Sequence, residues 1–209
     1  GTPVPSAVIT HAPGERGADL GEHGEDTGSI DDCFGAAPDL LGPVSSPRPA
    51  WATDAVAHVA WRFGHEIERA VDGDYIDEKE LATLRRAYDL IPAFEGEKPT
   101  PCHRDYCAAN LLVDDAGAWS GVIDFEFARW DVRVADFTRD PDWAFVVRPD
   151  LYDAFLEGYG RPFSPQEKQQ LLVAHAEYAL GAILWGHDGA FYGFEREGRE
   201  ALTHLAEIL

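Results

Sequence analysis

The sequence predicts an α+β fold that is mostly helical, with one small β-hairpin set among the helices. Two observations carry the prediction. Apolar residues recur at spacings of three and four through several long segments, the mark of helices with one buried face. By contrast, residues 110–113 and 121–125 are short apolar runs separated by the turn-forming cluster Asp114-Asp115-Ala116-Gly117, the pattern of a hairpin. Size permits a real core: the 209 residues are 45% hydrophobic and 11% aromatic, enough apolar surface to offset the entropy of ordering the chain.

In chain order, Val4 to Thr10 reads as a short strand closed by the turn Ala12-Pro13-Gly14. Glu15 to Asp32 is polar, glycine-rich and acidic, a loop or a frayed helix. Pro38 to Pro49 is irregular and ends in Pro47-Arg48-Pro49, which cannot continue a helix. Between Thr53 and Val71, the residues Val56, Val59, Ala60, Phe63, Ile67 and Ala70 define one buried helical face. Asp77 with Glu80 forms a capping box that opens a second helix, with Leu81, Leu84, Tyr88 and Ile91 inward and Pro92 as its end. Beyond the hairpin, Pro149 to Tyr159 reads as a helix. Ser164-Pro165-Gln166-Glu167 then supplies an N-cap, a proline at the first helical position and a glutamate three residues after the cap, opening a helix towards Trp185. Phe191 to Leu209 is a last amphipathic helix, with Phe194, Ala201, Leu205 and Leu209 along one side.

Charge and cysteine content narrow the class. The formal net charge of -21, from 38 acidic and 17 basic residues, repels a phosphate backbone, so neither a nucleic acid nor an anionic membrane is expected as partner, and a cationic one is favoured. Cys33, Cys102 and Cys107 are an odd count without a C-x-x-C pair, which points to free thiols in a reducing compartment. No apolar run approaches the ~18 residues of a membrane span, and the first residues lack the basic and apolar regions of a signal peptide; a cytoplasmic location is expected.

The stretch CHRDYCAANLLVDD followed by GVIDFEF carries chemistry. Moving a phosphoryl group requires a carboxylate to orient and deprotonate the attacking hydroxyl, oxygen ligands for magnesium, and exclusion of competing water. Asp105 can supply the first. Asn110, five residues on, offers a carbonyl oxygen, and Asp124, at the end of the second strand, offers a carboxylate, together a hard-oxygen set suited to magnesium. Singly, each reads as a turn or cap residue satisfied by backbone amides. The string H-R-D-x-x-x-x-N, however, should arise by chance in a chain of this size on the order of once in a thousand or less.

HRDYCAANLLVD followed by GVIDFEFARWDVRVADF resembles the catalytic half of the aminoglycoside phosphotransferase family, whose fold is similar to that of protein kinases. The resemblance implies that Asp105 is the catalytic base, that Asn110 and Asp124 bind the magnesium ions bridging the phosphates of ATP or GTP, and that His103 and Arg104 support the catalytic loop. It implies too that Asp136, in the run from Asp131, fixes that loop. The family's usual His-Gly-Asp is His103-Arg104-Asp105 here, and Asp-Phe-Gly is replaced by Asp124-Phe125-Glu126. Glu126 reads either as a metal-proximal carboxylate or as a solvent-facing residue.

The same resemblance sets residues 1–14 as a hinge-like segment, with Ile9, Thr10 and His11 touching adenine, and residues 15–209 as the helical catalytic lobe. The β-rich nucleotide lobe is expected to be missing, since Lys79, Lys98 and Lys168 are the only lysines, none in an apolar strand before the motif, and no G-x-G-x-x-G precedes it. Weak nucleotide binding by this chain alone follows as an expectation. In the family the acceptor lies between the catalytic loop and the C-terminal helices, where Asp142, Glu177, Asp188 and Glu195 are candidates to hold a cationic molecule. The implied activity is transfer of the γ-phosphoryl group to a hydroxyl of an aminoglycoside or other cationic antibiotic. A choline- or sugar-like acceptor, or a kinase-like module without catalysis, are the alternatives.

Overall fold

The computed structural model describes residues 54–139, 149–189 and 192–209. These form five α-helices and four short strands: α1 Ala55–Asp72, α2 Glu78–Tyr88, β1 Thr100–Cys102, β2 Leu111–Val113, β3 Trp119–Val122, β4 Arg129–Asp131, α3 Pro149–Tyr159, α4 Pro165–Gly189 and α5 Tyr192–Ile208. The expected strand at Val4 to Thr10, the acidic stretch to Asp32, Cys33, and the candidate residues Ile9, Thr10, His11 and Asp142 lie outside the described residues.

Local chemistry sets most helix starts. Asp54 caps α1, its side chain accepting from Ala57 N at 2.8 Å. At α2 the capping box is complete: Asp77 Oδ1 accepts from Lys79 N and Glu80 N at 2.8 Å each, and Glu80 Oε2 accepts from Asp77 N at 2.8 Å. Glu167 does the same at α4, where its Oε2 accepts from Ser164 N at 2.7 Å and its own N–H donates to Ser164 Oγ at 3.2 Å. Pro92 does not end α2. That helix stops at Tyr88, and the chain then tightens into a 3₁₀ turn over Ile91–Phe94 with the proline at its start, where a missing N–H is harmless.

The core lies where α1, α2, α4 and α5 meet, filled by Val59, Phe63, Leu84, Phe94, Val173, Leu180, Ile183 and Leu202. α4 is the central element, with Val173, Ala174, Ala176, Ala179, Leu180, Ala182, Ile183 and Leu184 all buried, as expected of a helix enclosed on several sides. It meets α5 backbone to backbone. A Cβ on Gly198 would sit 2.4 Å from Ala179 O and 2.8 Å from Ile183 Cγ1, and one on Gly186 would sit 2.6 Å from Glu195 N. Gly198→Ala should therefore force the two helices apart and cost ~1–3 kcal/mol, read as a lowered urea midpoint with an unchanged m-value. Among the described residues no helix is long and apolar enough to cross a membrane.

The strands form two separate antiparallel ladders. β2 pairs with β3 as the expected hairpin, with an irregularity between Leu112 and Val113. β1 pairs with β4, matching Thr100 to Asp131 and Cys102 to Arg129. The second strand of the hairpin ends earlier than the apolar run suggests, at Val122 rather than Phe125, so Asp124 lies in the following loop. The next rung is only half made: Ile123 N–H donates to the facing Asn110 O at 3.0 Å, but Asn110 N–H turns to Cys107 O at 3.0 Å and the Ile123 carbonyl accepts from the His103 ring instead.

Candidate active site

The ladder topology brings two loops face to face. Residues 103–110 join β1 to β2, and residues 123–128 join β3 to β4; since β1 pairs with β4 and β2 with β3, both loops are clamped at both ends. His103 crosses between them. Its Nδ1 accepts from Asp105 N at 3.2 Å, which puts the ring proton on Nε2, donated to Ile123 O at 2.8 Å. Its ring also packs edge-on against Phe125, centroids 4.5 Å apart. The residues on either side of Asp124 are thus both tied to the 103–110 loop.

Asp136 holds the start of that loop. Its two oxygens accept from the backbone N–H groups of His103 at 3.2 Å and Arg104 at 2.7 Å. Burial pushes the Asp136 carboxyl up from its ordinary range even against those two bonds. Arg104 and Asp124 both adopt left-handed backbone, with φ of 67° and 66°, a conformation that costs a residue with a Cβ on the order of 1 kcal/mol. For Arg104 the two Asp136 bonds and its own guanidinium contact offset that cost.

Asp105 is half-buried and both its oxygens are engaged. Oδ1 pairs with Arg139 Nη1 at 2.7 Å, and Oδ2 accepts from Asn110 Nδ2 at 2.9 Å. Asn110 is buried, and the same amide nitrogen also donates to Asp105 O at 2.9 Å. Both bonds use nitrogen, so the side-chain oxygen of Asn110 is left as an acceptor. Asp124 and Glu126 are exposed. No group of three His, Cys, Asp or Glu side chains among the described residues forms an all-protein metal cage. One carboxylate and one amide oxygen fit magnesium nonetheless, because that ion keeps several waters and takes the rest of its shell from substrate phosphates.

Beneath the loop lies a charge cluster that the sequence did not single out. Asp131, fully buried, accepts from Arg62 Nη1 at 2.9 Å through both oxygens and from Arg104 Nη1 at 2.6 Å; Arg129 Nε is 3.5 Å away. Burial alone would push the Asp131 carboxyl up, but Arg62 and Arg104 outweigh it and hold it below the usual range. Arg62 also grips Glu177 of α4, Nε to Oε1 at 2.9 Å and Nη2 to Oε2 at 2.8 Å. One arginine on α1 thereby ties β4 to α4, and Asp131 carries the link on to Arg104 of the loop. A signal was present in the sequence, since Arg62 is a charged position on a helix otherwise read for its apolar face, but nothing local names partners 69 and 115 residues away.

A cleft of about 490 Å³ opens beside Asp105, between the loops, α1 and the α4–α5 pair. Of the four candidate acceptor residues, Glu177 lines it. Asp188 instead pairs with Arg69 at the surface, and Glu195 pairs with Arg199 at 2.8 Å beside a separate shallow groove along α5. Glu66 also lines the cleft. Burial first, then the Glu177 charge, push its carboxyl up to about 7. Since the folded protein holds that proton more tightly than the unfolded chain does, the stability contributed is full below about pH 4.5 and is lost as pH rises through 7. Glu66→Gln, which does not titrate, should match the parent protein at pH 4 and exceed it at pH 8 by roughly 3 kcal/mol, measured by denaturant melts at both values.

Cys102 and Cys107 are buried free thiols, and burial raises both above the ordinary thiol range, so neither is a ready nucleophile.

Comparison with known proteins bears on the family and the fold. The model of the phosphotransferase enzyme family matches residues 2–173. A macrolide 2'-phosphotransferase type I of solved structure superimposes with a TM-score of 0.53 at 17% identity, covering 90% of this chain and 64% of that one, a likeness of fold. An ethanolamine kinase from Plasmodium vivax matches with a TM-score of 0.48 at 19% identity over 78% of this chain and 50% of its own. The chain thus spans less than two thirds of the length of either. No curated protein matches the sequence.

Proposed function

The chain belongs to the phosphotransferase enzyme family, and on that premise we propose that it carries the catalytic and metal-binding half of a small-molecule O-phosphotransferase. The observation that supports this most is the clamping of Asp105, Asn110 and Asp124 onto two facing loops through His103, Ile123 and Asp136. Asp105 orients the acceptor hydroxyl and accepts its proton as the hydroxyl oxygen bonds to the γ-phosphorus and the bond from that phosphorus to the β,γ-bridging oxygen breaks, releasing the nucleoside diphosphate. Its oxygens are positioned for this by Asn110 and Arg139, and one of those contacts yields when the hydroxyl arrives. Asn110 and Asp124 would hold magnesium, which when bound supplies positive charge to the phosphate oxygens.

The nucleotide is ATP or GTP, with Ile9, Thr10 and His11 as the proposed hinge contact. The acceptor is a cationic small molecule bearing a hydroxyl. An aminoglycoside or another antibiotic is the leading candidate, and a choline- or sugar-like metabolite the alternative. Magnesium-dependent nucleotide binding tests the reading directly: Asp124→Ala should weaken it by tenfold or more, measured by calorimetry with and without magnesium. Equal binding by the variant, or no nucleotide binding even when a nucleotide lobe is supplied, would leave a non-catalytic binding module as the better description.

A further inference from the structure

The charges in the cleft are almost fully matched against one another. Arg62 is held by Glu177 and Asp131, Arg104 by Asp131, and Arg139 by Asp105, so those three acids are engaged as well. Glu66, on α1 one turn beyond Arg62, closes no ion pair and accepts no hydrogen bond among the described residues. From α4 it faces the like charge of Glu177; Arg104 from the catalytic loop and Arg62 and Arg69 from its own helix offset only part of the cost of burial. An unpaired carboxyl inside a cavity is expensive to keep. Its wild-type proton affinity, near pH 7, reports that cost.

The facing wall has different chemistry. α4 presents Tyr178, Gly181, Ala182 and Trp185 to the cleft, and Phe194 of α5 stands edge-on to Trp185 with centroids 4.6 Å apart. Small residues between aromatic ones make a broad apolar surface, and the volume suits a drug-sized molecule. A polycation would call for several unmatched carboxylates. Among the described residues the interior offers one, with Glu126 at the exposed rim.

We propose that Glu66 is the acceptor-specificity residue of this cleft, receiving the single ammonium of an amphipathic amino alcohol whose apolar body lies on the Tyr178–Trp185 wall. The assignment of the cleft to an acceptor rests on the phosphotransferase reading, and binding is measured apart from turnover so that the two can fail separately. The probe is propranolol, an aryl amino alcohol with one amine, against spermine, a polyamine with no apolar face, each titrated calorimetrically into the full chain at pH 6 and pH 8.

Propranolol should bind more tightly than spermine, and about tenfold more tightly at pH 8 than at pH 6, as Glu66 ionises across that interval. Glu66→Gln should weaken propranolol at least tenfold at pH 8 and abolish the pH dependence. Trp185→Ala should weaken it while leaving the pH dependence in place, an independent reading of the wall. Spermine binding as tightly as propranolol, pH-independent binding by the parent protein, or undiminished binding by Glu66→Gln would overturn the proposal. Binding as described with no phosphate transferred to any hydroxyl acceptor would overturn the reaction and leave the role of Glu66 standing.

Discussion

Asp105→Asn should reduce phosphoryl transfer by 10²- to 10⁴-fold, the range that a positioned proton acceptor contributes. The substitution keeps the shape of the side chain and leaves the backbone carbonyl of residue 105 to accept from Asn110 Nδ2, so the loop should hold its course. What disappears is the proposed acceptor of the hydroxyl proton, together with the ion pair to Arg139. Single-turnover measurements with radiolabelled nucleotide, on a chain complemented with a nucleotide lobe if turnover requires one, separate this loss from any change in binding. A fall in kcat with KM nearly constant is the expected pattern. A variant retaining more than a tenth of the parent rate would remove Asp105 from the role of base.

Asp131→Ala should destabilise the fold by about 3–5 kcal/mol. The reason lies in what remains. Arg62 and Arg104 would be left facing each other without the carboxylate between them, Arg62 already largely withdrawn from water, and Val132 N would lose its acceptor. Arg104 would also lose the guanidinium contact that helps hold its left-handed backbone. Asp131→Asn keeps some hydrogen bonds and should fall between the parent and the alanine variant. Urea denaturation followed by tryptophan fluorescence measures all three, with Asp115→Ala at the exposed hairpin turn as a control expected within 0.5 kcal/mol of the parent. An Asp131→Ala variant as stable as that control would show that the cluster does not tie α1 to the loop.

The two variants probe different parts of the same site, and they differ in how visible their chemistry was in the sequence. Asp105, Asn110 and Asp124 stand out because phosphoryl transfer demands a carboxylate and hard-oxygen donors at close spacing, and a fixed spacing is a local property. Helix starts were legible for the same reason. The capping boxes at Asp77 and Ser164 bond within three residues, and both form as the residue order suggests. The hairpin was legible in its first strand and its turn. Its second strand ends early, because whether Ile123 stays in the ladder depends on Asn110 and His103.

The β1–β4 ladder, the Asp131 cluster and the unpaired Glu66 were not legible. Each depends on partners tens of residues away, and an isolated Arg62, Glu66 or Asp131 looks like any solvated charge on a helix or strand. The family resemblance could nominate four candidate acceptor carboxylates, but only packing shows that Glu177 lines the cleft bound to Arg62 while Asp188 and Glu195 close ion pairs elsewhere.

The sequence by itself determined the helices among the described residues, the hairpin turn and the candidate reacting groups, since periodicity, caps and motif spacing act through neighbours within a few residues. The tertiary structure alone decided which charges of the cleft are neutralised and that Glu66 has no partner among the described residues. A carboxylate's partner, and the cost of lacking one, depend on distance and burial in space, and those exist only once α1, the two loops and α4 have been brought together.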